Sequence, residues 1–344
     1  MTYRFKLNEP IAKGASRIGL EQIDIAEARL ASREDIPGAI HDARRCLKRL
    51  RALLRLIRPA LTEGIYKREA NRTAGIGRLL AGARDHHVMQ QTLAKMETRS
   101  SALPKTIGVR LNKLMANGAG PKSARSGTQE RRQALEGLKQ ARTFFARVER
   151  RKIDFTHLAA GVERSYRRAR RAFREAYDNP ADEAFHEWRK AVQQHWRHMQ
   201  LLSRGWPEML SGRVSEAKEL SRLLGEDHDL HVLLEFATDR GKAVLPTEDL
   251  ATLTTVCRSA QAELRELAKP RGARLFAEPA GDLSERIALY WSAAQDLSAL
   301  APPKEDGGPA RRASAKVPAK RRTSAAGQAV SPGLPERRSR SPGR

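Results

Sequence analysis

The chain repeats itself at an interval of about 145 residues, which restricts it to an architecture that packs two copies of one unit together. His41-Asp42-Ala43-Arg44-Arg45 returns as His186-Glu187-Trp188-Arg189-Lys190: histidine, acid, any residue, two bases. Downstream, LLAGARDHHV (79–88) is matched by LLGEDHDLHV (223–232). Upstream, IDIAEARLASREDIPGAIH leads to His41 as YRRARRAFREAYDNPADEAFH leads to His186. One such pentapeptide would carry little weight. Two, embedded in the same order of segments, mark a tandem duplication.

The first copy also shows what kind of unit is duplicated. At 100° per residue, HDARRCLKRLRALLRLIR (41–58) places Ala43, Cys46, Leu47, Leu50, Leu53, Leu54 and Ile57 on one side. His41, Arg44, Arg45, Lys48, Arg51 and Arg55 fall on the other. This stretch holds seven Arg and Lys against one acid, Asp42. A solvated helix face ordinarily mixes signs, because like charges at i,i+4 oppose the helix by a few tenths of a kcal/mol. A nearly pure cationic face calls for an anionic partner. The whole chain leans the same way, with 65 Lys+Arg against 40 Asp+Glu and a net +25. That imbalance speaks of a polyanionic partner and says nothing of fold.

The periodicity predicts helices over 11–32, from Pro37-Gly38 to about Pro59, and over 62–82, 85–99, 106–116, 129–150, 155–178, 181–204, 208–224, 228–241, 248–268 and 283–299. Breaks are expected at Asn179-Pro180, Gly205-Trp206-Pro207, Gly225, Pro246 and Pro270. Asp85 is expected to cap a helix after the Gly82 turn. No stretch alternates like a strand. The class is therefore all-α. In the helix from 155, Arg164, Arg167, Arg168, Arg171 and Arg174 form a second basic stripe opposite Val162, Tyr166, Ala169 and Phe173, a candidate wall for the same anion. Cys46 and Cys257 make no disulfide or zinc framework, and Cys46 is expected in the core. No apolar run approaches the roughly 20 residues that span a bilayer. The N-terminus lacks the apolar core of a signal peptide. A cytoplasmic protein without membrane association is expected.

From about 302 the chain turns rich in Pro, Ala, Ser and Arg and loses hydrophobic periodicity, as a disordered basic tail does. Its 11 basic and 3 acidic residues make +8, so +17 remains on the preceding residues and the tail does not account for their charge.

His41–Arg55 with the Ala83-Arg84-Asp85 turn, and His186–Arg197 with the Leu224-Gly225-Glu226-Asp227-His228-Asp229 turn, resemble the two halves of a CHAD domain, a helical domain named for conserved histidines. Gly161–Phe173 resembles the entry into that family's second half. The resemblance covers about residues 10–300, in halves of about 10–150 and 151–300. It implies two antiparallel helical bundles related by a pseudo-twofold axis, with basic helix faces lining a central cavity, and inorganic polyphosphate as ligand, in the cytoplasm and at polyphosphate granules. The Glu-x-Glu-x-Lys signature of the CYTH triphosphatases that often accompany CHAD domains is absent, so a stand-alone, non-enzymatic binding module without cofactor or metal is expected. Oligomeric state is not legible.

Polyphosphate presents about one charge per unit and no bases, so it needs a line of guanidinium forks and ammonium groups. His41, Arg44, Arg45, Lys48, Arg51 and Arg55 supply one line at helical turns of about 5.4 Å. His186, Arg189, Lys190 and Arg197 supply its partner, with Arg167 and Arg171 as a further wall. The second copy is weaker in charge: Gln193 and Gln194 replace Lys48 and Arg49, and Trp196 replaces Arg51, with Arg197 one place later. Two other readings compete. Charge alone also fits non-specific nucleic-acid binding, but single-strand binders stack bases on aromatics, and aromatics are 5% of this chain. Asp85-His86-His87 and Asp227-His228-Asp229-Leu230-His231 resemble ligand clusters of a metal-dependent phosphohydrolase, but the two copies do not match as a symmetric metal site would.

Overall fold

The computed structural model describes residues 3–32, 34–80, 82–117 and 121–300, and within them every side chain except those of 82–87, 117 and 121–127. The expected basic tail and the side chains of Arg84, Asp85, His86 and His87 lie outside the described residues.

Among the described residues the chain is all helical, with no strand. The α-helices are α1 (Ile11–Ala31), α2 (Ile36–Leu56), α3 (Glu63–Leu79), α4 (Gly82–Arg99), α5 (Lys105–Asn117), α6 (Pro121–Val148), α7 (Phe155–Asp178), α8 (Asp182–Leu201), α9 (Pro207–Asp239), α10 (Thr247–Leu275) and α11 (Ala280–Leu300). The described residues belong to one unit of internal contacts. No helix is long and apolar enough to cross a membrane, among the described residues.

Local chemistry sets several helix starts. Asp35 adopts φ 43° and its carboxylate accepts from the Gly38 backbone N–H at 3.1 Å, with Pro37 in the first turn of α2. Asp154 caps α7 by accepting from the backbone N–H groups of Thr156 and His157.

Three boundaries depart from the periodicity. The first is α6, which begins at Pro121 instead of near 129, with proline in a first turn where no intrahelical N–H is needed. The second is α9, which runs unbroken through Gly225 where two helices were expected. A lone glycine costs about 1 kcal/mol in a helix, and the buried row Leu220, Leu223, Leu224, Asp227, Leu230, Leu233 and Leu234 continues across it. Asp227 and Asp229 consequently sit inside a helix, and so does Asp85 in α4; none is a cap. The third is α10, which continues through Pro270. An interior proline costs about 3 kcal/mol, and tight packing beyond it opposes that. A Cβ on Gly272 would lie 2.6 Å from Trp188 and 2.8 Å from Phe173, so α10 presses against a cluster of aromatic rings that includes Tyr177, Phe185 and Phe276.

The two helices carrying the repeated motif, α2 and α8, meet in the interior. The apolar side of α2 is buried as its period requires, Cys46 included. The buried side of α8 holds Trp188, Ala191, Val192, Met199 and two histidines, His195 and His198. His198 ties three helices together. Its Nε2 is 2.9 Å from the Ala52 carbonyl of α2 and its Nδ1 is 2.9 Å from the Ser165 hydroxyl of α7. Burial holds the ring neutral, so Nε2–H donates to Ala52 and Nδ1 accepts from Ser165. Where α7 crosses the end of α2, a Cβ on Gly161 would lie 2.0 Å from the Leu56 carbonyl oxygen. Only glycine permits that approach. The N-terminal segment closes over the same junction: Phe5 N–H donates to Leu201 O, and the Tyr3 hydroxyl donates to Arg49 O.

Two predictions follow from this junction. Gly161→Ala forces α7 off α2 and lowers unfolding free energy by about 3 kcal/mol in a urea titration, while Gly212→Ala, which meets nothing within 4 Å, does not. The second concerns pH. His198 is held down at about 3 and His195 well below its usual value, both by burial first. The unfolded chain binds these protons near the ordinary pKa of about 6.5 and the folded chain does not. Their contribution is therefore complete above pH ~6.5 and declines as pH falls toward about 3, by up to ~1.4 kcal/mol per unit for each ring. Unfolding titrations between pH 7 and 5 measure this slope, and His198→Gln flattens it.

Candidate functional site

Where α2 and α8 separate, the structure leaves a cavity of about 410 Å³. Arg44, Lys48, Arg51 and Arg55 line it from α2, and His186, Arg189, Lys190 and Arg197 from α8. Val88 and Met89 of α4 and His228, Asp229 and Val232 of α9 close the remaining sides, with Ala52, Gln193 and Gln194 at its base. The helical period accounts for the arrangement. Each of α2 and α8 has one apolar side in the core, and their polar sides turn toward each other across the gap.

Three of the cations donate to neutral oxygens. Arg44 donates to the Leu80 carbonyl at 2.8 Å, Arg55 to the Gln194 side chain at 3.1 Å, and Arg197 to the Gln193 carbonyl at 2.5 Å. The Arg197 guanidinium also lies 4.3 Å from the centre of the Trp196 ring. Arg197 is only 7% exposed. Burial first, and then the charges of Arg49, Arg51 and Arg189, lower its pKa to about 10, against the smaller opposing pull of Tyr3. Burial and the neighbouring charges of Arg55 and Arg78 likewise lower Arg51. Among the described residues seven Arg and Lys line the cavity, with Asp229 as the one carboxylate. At the rim, Lys190 pairs with Glu187 at 2.6 Å, which also holds Arg168 at 2.8 Å.

Two histidines face each other in this field. His186 and His228 stack with ring centres 4.0 Å apart, and the Nδ1 of each is buried without a hydrogen-bond partner. Desolvation, followed by the charges of Lys190 and Arg189, lowers His186; desolvation, then Arg189, His186 and His231, takes His228 to about 3. Both rings are therefore neutral near pH 7.

Of the twelve residues proposed from the sequence, eight line the cavity: Arg44, Lys48, Arg51, Arg55, His186, Arg189, Lys190 and Arg197. The other four are placed elsewhere. His41 stands exposed one turn before Arg44. Arg45 points outward and pairs with Asp42 at 3.1 Å. Arg167 is exposed and paired with Glu163. Arg171 is exposed on the outer side of α7, together with Arg164 and Arg174. The α7 stripe thus faces outward because Val162, Tyr166 and Ala169 take the inward side against α8 and α11.

Sequence reasoning passed over His228, Asp229, Gln193 and Gln194 as site residues. The repeat held a signal for the first, since position 228 is matched by Arg84 in the first copy. The supposed metal cluster is otherwise engaged. Asp227 pairs with Arg265 at 2.7 Å, and His231 with Asp182 at 3.0 Å, where Arg258 and Arg265 also converge. Burial raises the Asp182 carboxyl, but the two guanidiniums outweigh it and hold it at about 2. Among the described residues no three His, Cys, Asp or Glu side chains are grouped as a metal site.

No curated protein matches the chain. Among protein families, the CHAD domain matches residues 17–238, a span that contains both copies of the repeated motif and every residue lining the cavity. The chain belongs to the CHAD domain family.

Proposed function

We propose that this protein binds inorganic polyphosphate in the cavity between α2 and α8. The observation that carries this reading is the charge of the lining, seven Arg and Lys to one carboxylate, Asp229, among the described residues, with Arg197 buried among them. An unpaired buried charge is costly, of the order of 3–5 kcal/mol where a partner is missing. An anion threaded between the helices removes that cost. Successive cations on α2 stand one helical turn, about 5.4 Å, apart, a spacing suited to a repeating phosphate chain. The lining offers imidazoles but no Phe, Tyr or Trp on which a base could stack, which favours polyphosphate over single-stranded nucleic acid.

In this reading the protein is a non-enzymatic capture module. Its two helical bundles, about 10–150 and 151–300, are related by a pseudo-twofold axis, and each contributes one basic face. Binding is electrostatic, and it serves targeting or scaffolding at polyphosphate granules in the cytoplasm.

Two measurements test the proposal. Long-chain polyphosphate titrated onto the full chain binds tightly, resists excess single-stranded and duplex DNA, and loses roughly a hundredfold in affinity in Arg51→Glu/Arg189→Glu. Equal displacement by DNA, or a fall in polymer length during the titration, overturns it. The second measurement is proton uptake. A bound polyanion raises the pKa of His186 and His228 from their lowered values, so binding takes up protons and affinity rises as pH falls from 8 to 6. Calorimetry in buffers of different ionisation heat detects the uptake, and His186→Asn/His228→Asn removes it.

A further inference from the structure

Arg44, Lys48 and Arg51 border a second space besides the central cavity. A groove of about 320 Å³ between α2 and α3 is lined by these three side chains together with Leu47, Thr73, Ala74, Gly77 and Arg78. No acid lines it. Arg78 is exposed, and its charge is close enough to lower the pKa of Arg51. The three shared cations on α2 thus connect the cavity to a basic groove on the first-half side.

The internal repeat shows that this side differs from the other. In the alignment of 79–88 with 223–232, Arg78 corresponds to Arg222. Arg222 is neutralised: Glu219 holds it at 2.6 Å and Glu226 at 2.7 Å. At the positions matching those two glutamates the first copy has Gly75 and Gly82. The same contrast holds along the motif helices, where Lys48 and Arg51 correspond to Gln193 and Trp196. Trp196 is already covered by Arg197 at 4.3 Å and Lys218 at 5.4 Å. One copy presents Arg51 and Arg78 with glycines at the matching positions, and the other presents a covered ring and an arginine saturated by two glutamates.

We propose that the α2–α3 groove is an exit track for a polyphosphate chain too long for the central cavity, with Arg78 as a further binding residue. The inference rests on the polyphosphate reading of the cavity and adds length selectivity and direction to it. Short chains are confined to the cavity. Long chains leave it over the first half, across Arg44, Lys48 and Arg51 to Arg78.

The test uses the full chain with two probes, tripolyphosphate and long-chain polyphosphate. Two variants strip the groove by different means: Arg78→Gln removes the charge, and Gly75→Glu restores the partner that Arg222 has. A Cβ on Gly75 would lie 3.8 Å from the Arg78 guanidinium, so the new carboxylate can reach it. Each variant weakens long-chain binding roughly five- to tenfold and reduces the salt dependence by about 0.7 in slope, the value of one lost phosphate contact on a flexible strand. Tripolyphosphate affinity stays at the wild-type value, and Arg222→Gln changes neither. Equal losses for both probes, or no loss for the long chain, overturn the exit track while leaving the cavity reading intact. A wild-type protein that binds neither probe overturns both.

Discussion

Mutual repulsion among the cations between α2 and α8 is the constraint around which this protein is arranged. Among the described residues seven Arg and Lys share a cavity with one carboxylate, and at an effective dielectric of about 20 two like charges 4 Å apart cost about 4 kcal/mol. Three features hold them there. Each helix has its apolar side locked in the core, so the basic sides cannot rotate away. Carbonyl and amide oxygens of Leu80, Gln193 and Gln194 accept from the guanidiniums and fix them without neutralising them. His198, Ser165 and Gly161 hold α7, α8 and α2 at close range through a hydrogen bond to Ala52 and a glycine contact at Leu56.

The two copies of the repeat divide the work unequally. The second is the more heavily braced. Its α8, α9 and α10 are joined by Asp182, Asp227, Arg258, Arg265 and His231, and by an aromatic cluster around Trp188 that admits only glycine at 272. The first copy supplies four of the seven cavity cations. A braced half facing a highly charged half keeps the geometry of the cationic line stable. The replacement of Arg49 by Gln194 reads as a division of roles, since the Gln194 side chain anchors Arg55.

Most helices were legible in the sequence because burial on one side imposes a period of 3.6, and the ends of α1, α2 and α7 fell close to their expected places. Two of the misread boundaries share a cause. Gly225 and Pro270 are local breakers of about 1 and 3 kcal/mol, and each lies in a helix whose buried row continues past it, so tertiary packing outweighs the local preference. The α7 stripe was misread differently. An amphipathic period shows that one side is polar, but it does not say whether that side meets a cavity or solvent.

By itself the sequence determined that the protein is helical and duplicated, and that two of its helices carry matched basic faces with ten particular His, Arg and Lys side chains on them. Periodicity, charge and repetition are properties of position along the chain, and they survive without coordinates. The tertiary structure alone decided which cations share one space. That depends on how α2, α4, α8 and α9 cross, and crossing is set by side chains far apart in sequence, such as His198 against Ala52 and Gly161 against Leu56. It brought His228 onto His186, turned Arg45, Arg167 and Arg171 outward, and opened beside Arg78 a groove that the matching arginine, held between two glutamates, does not have.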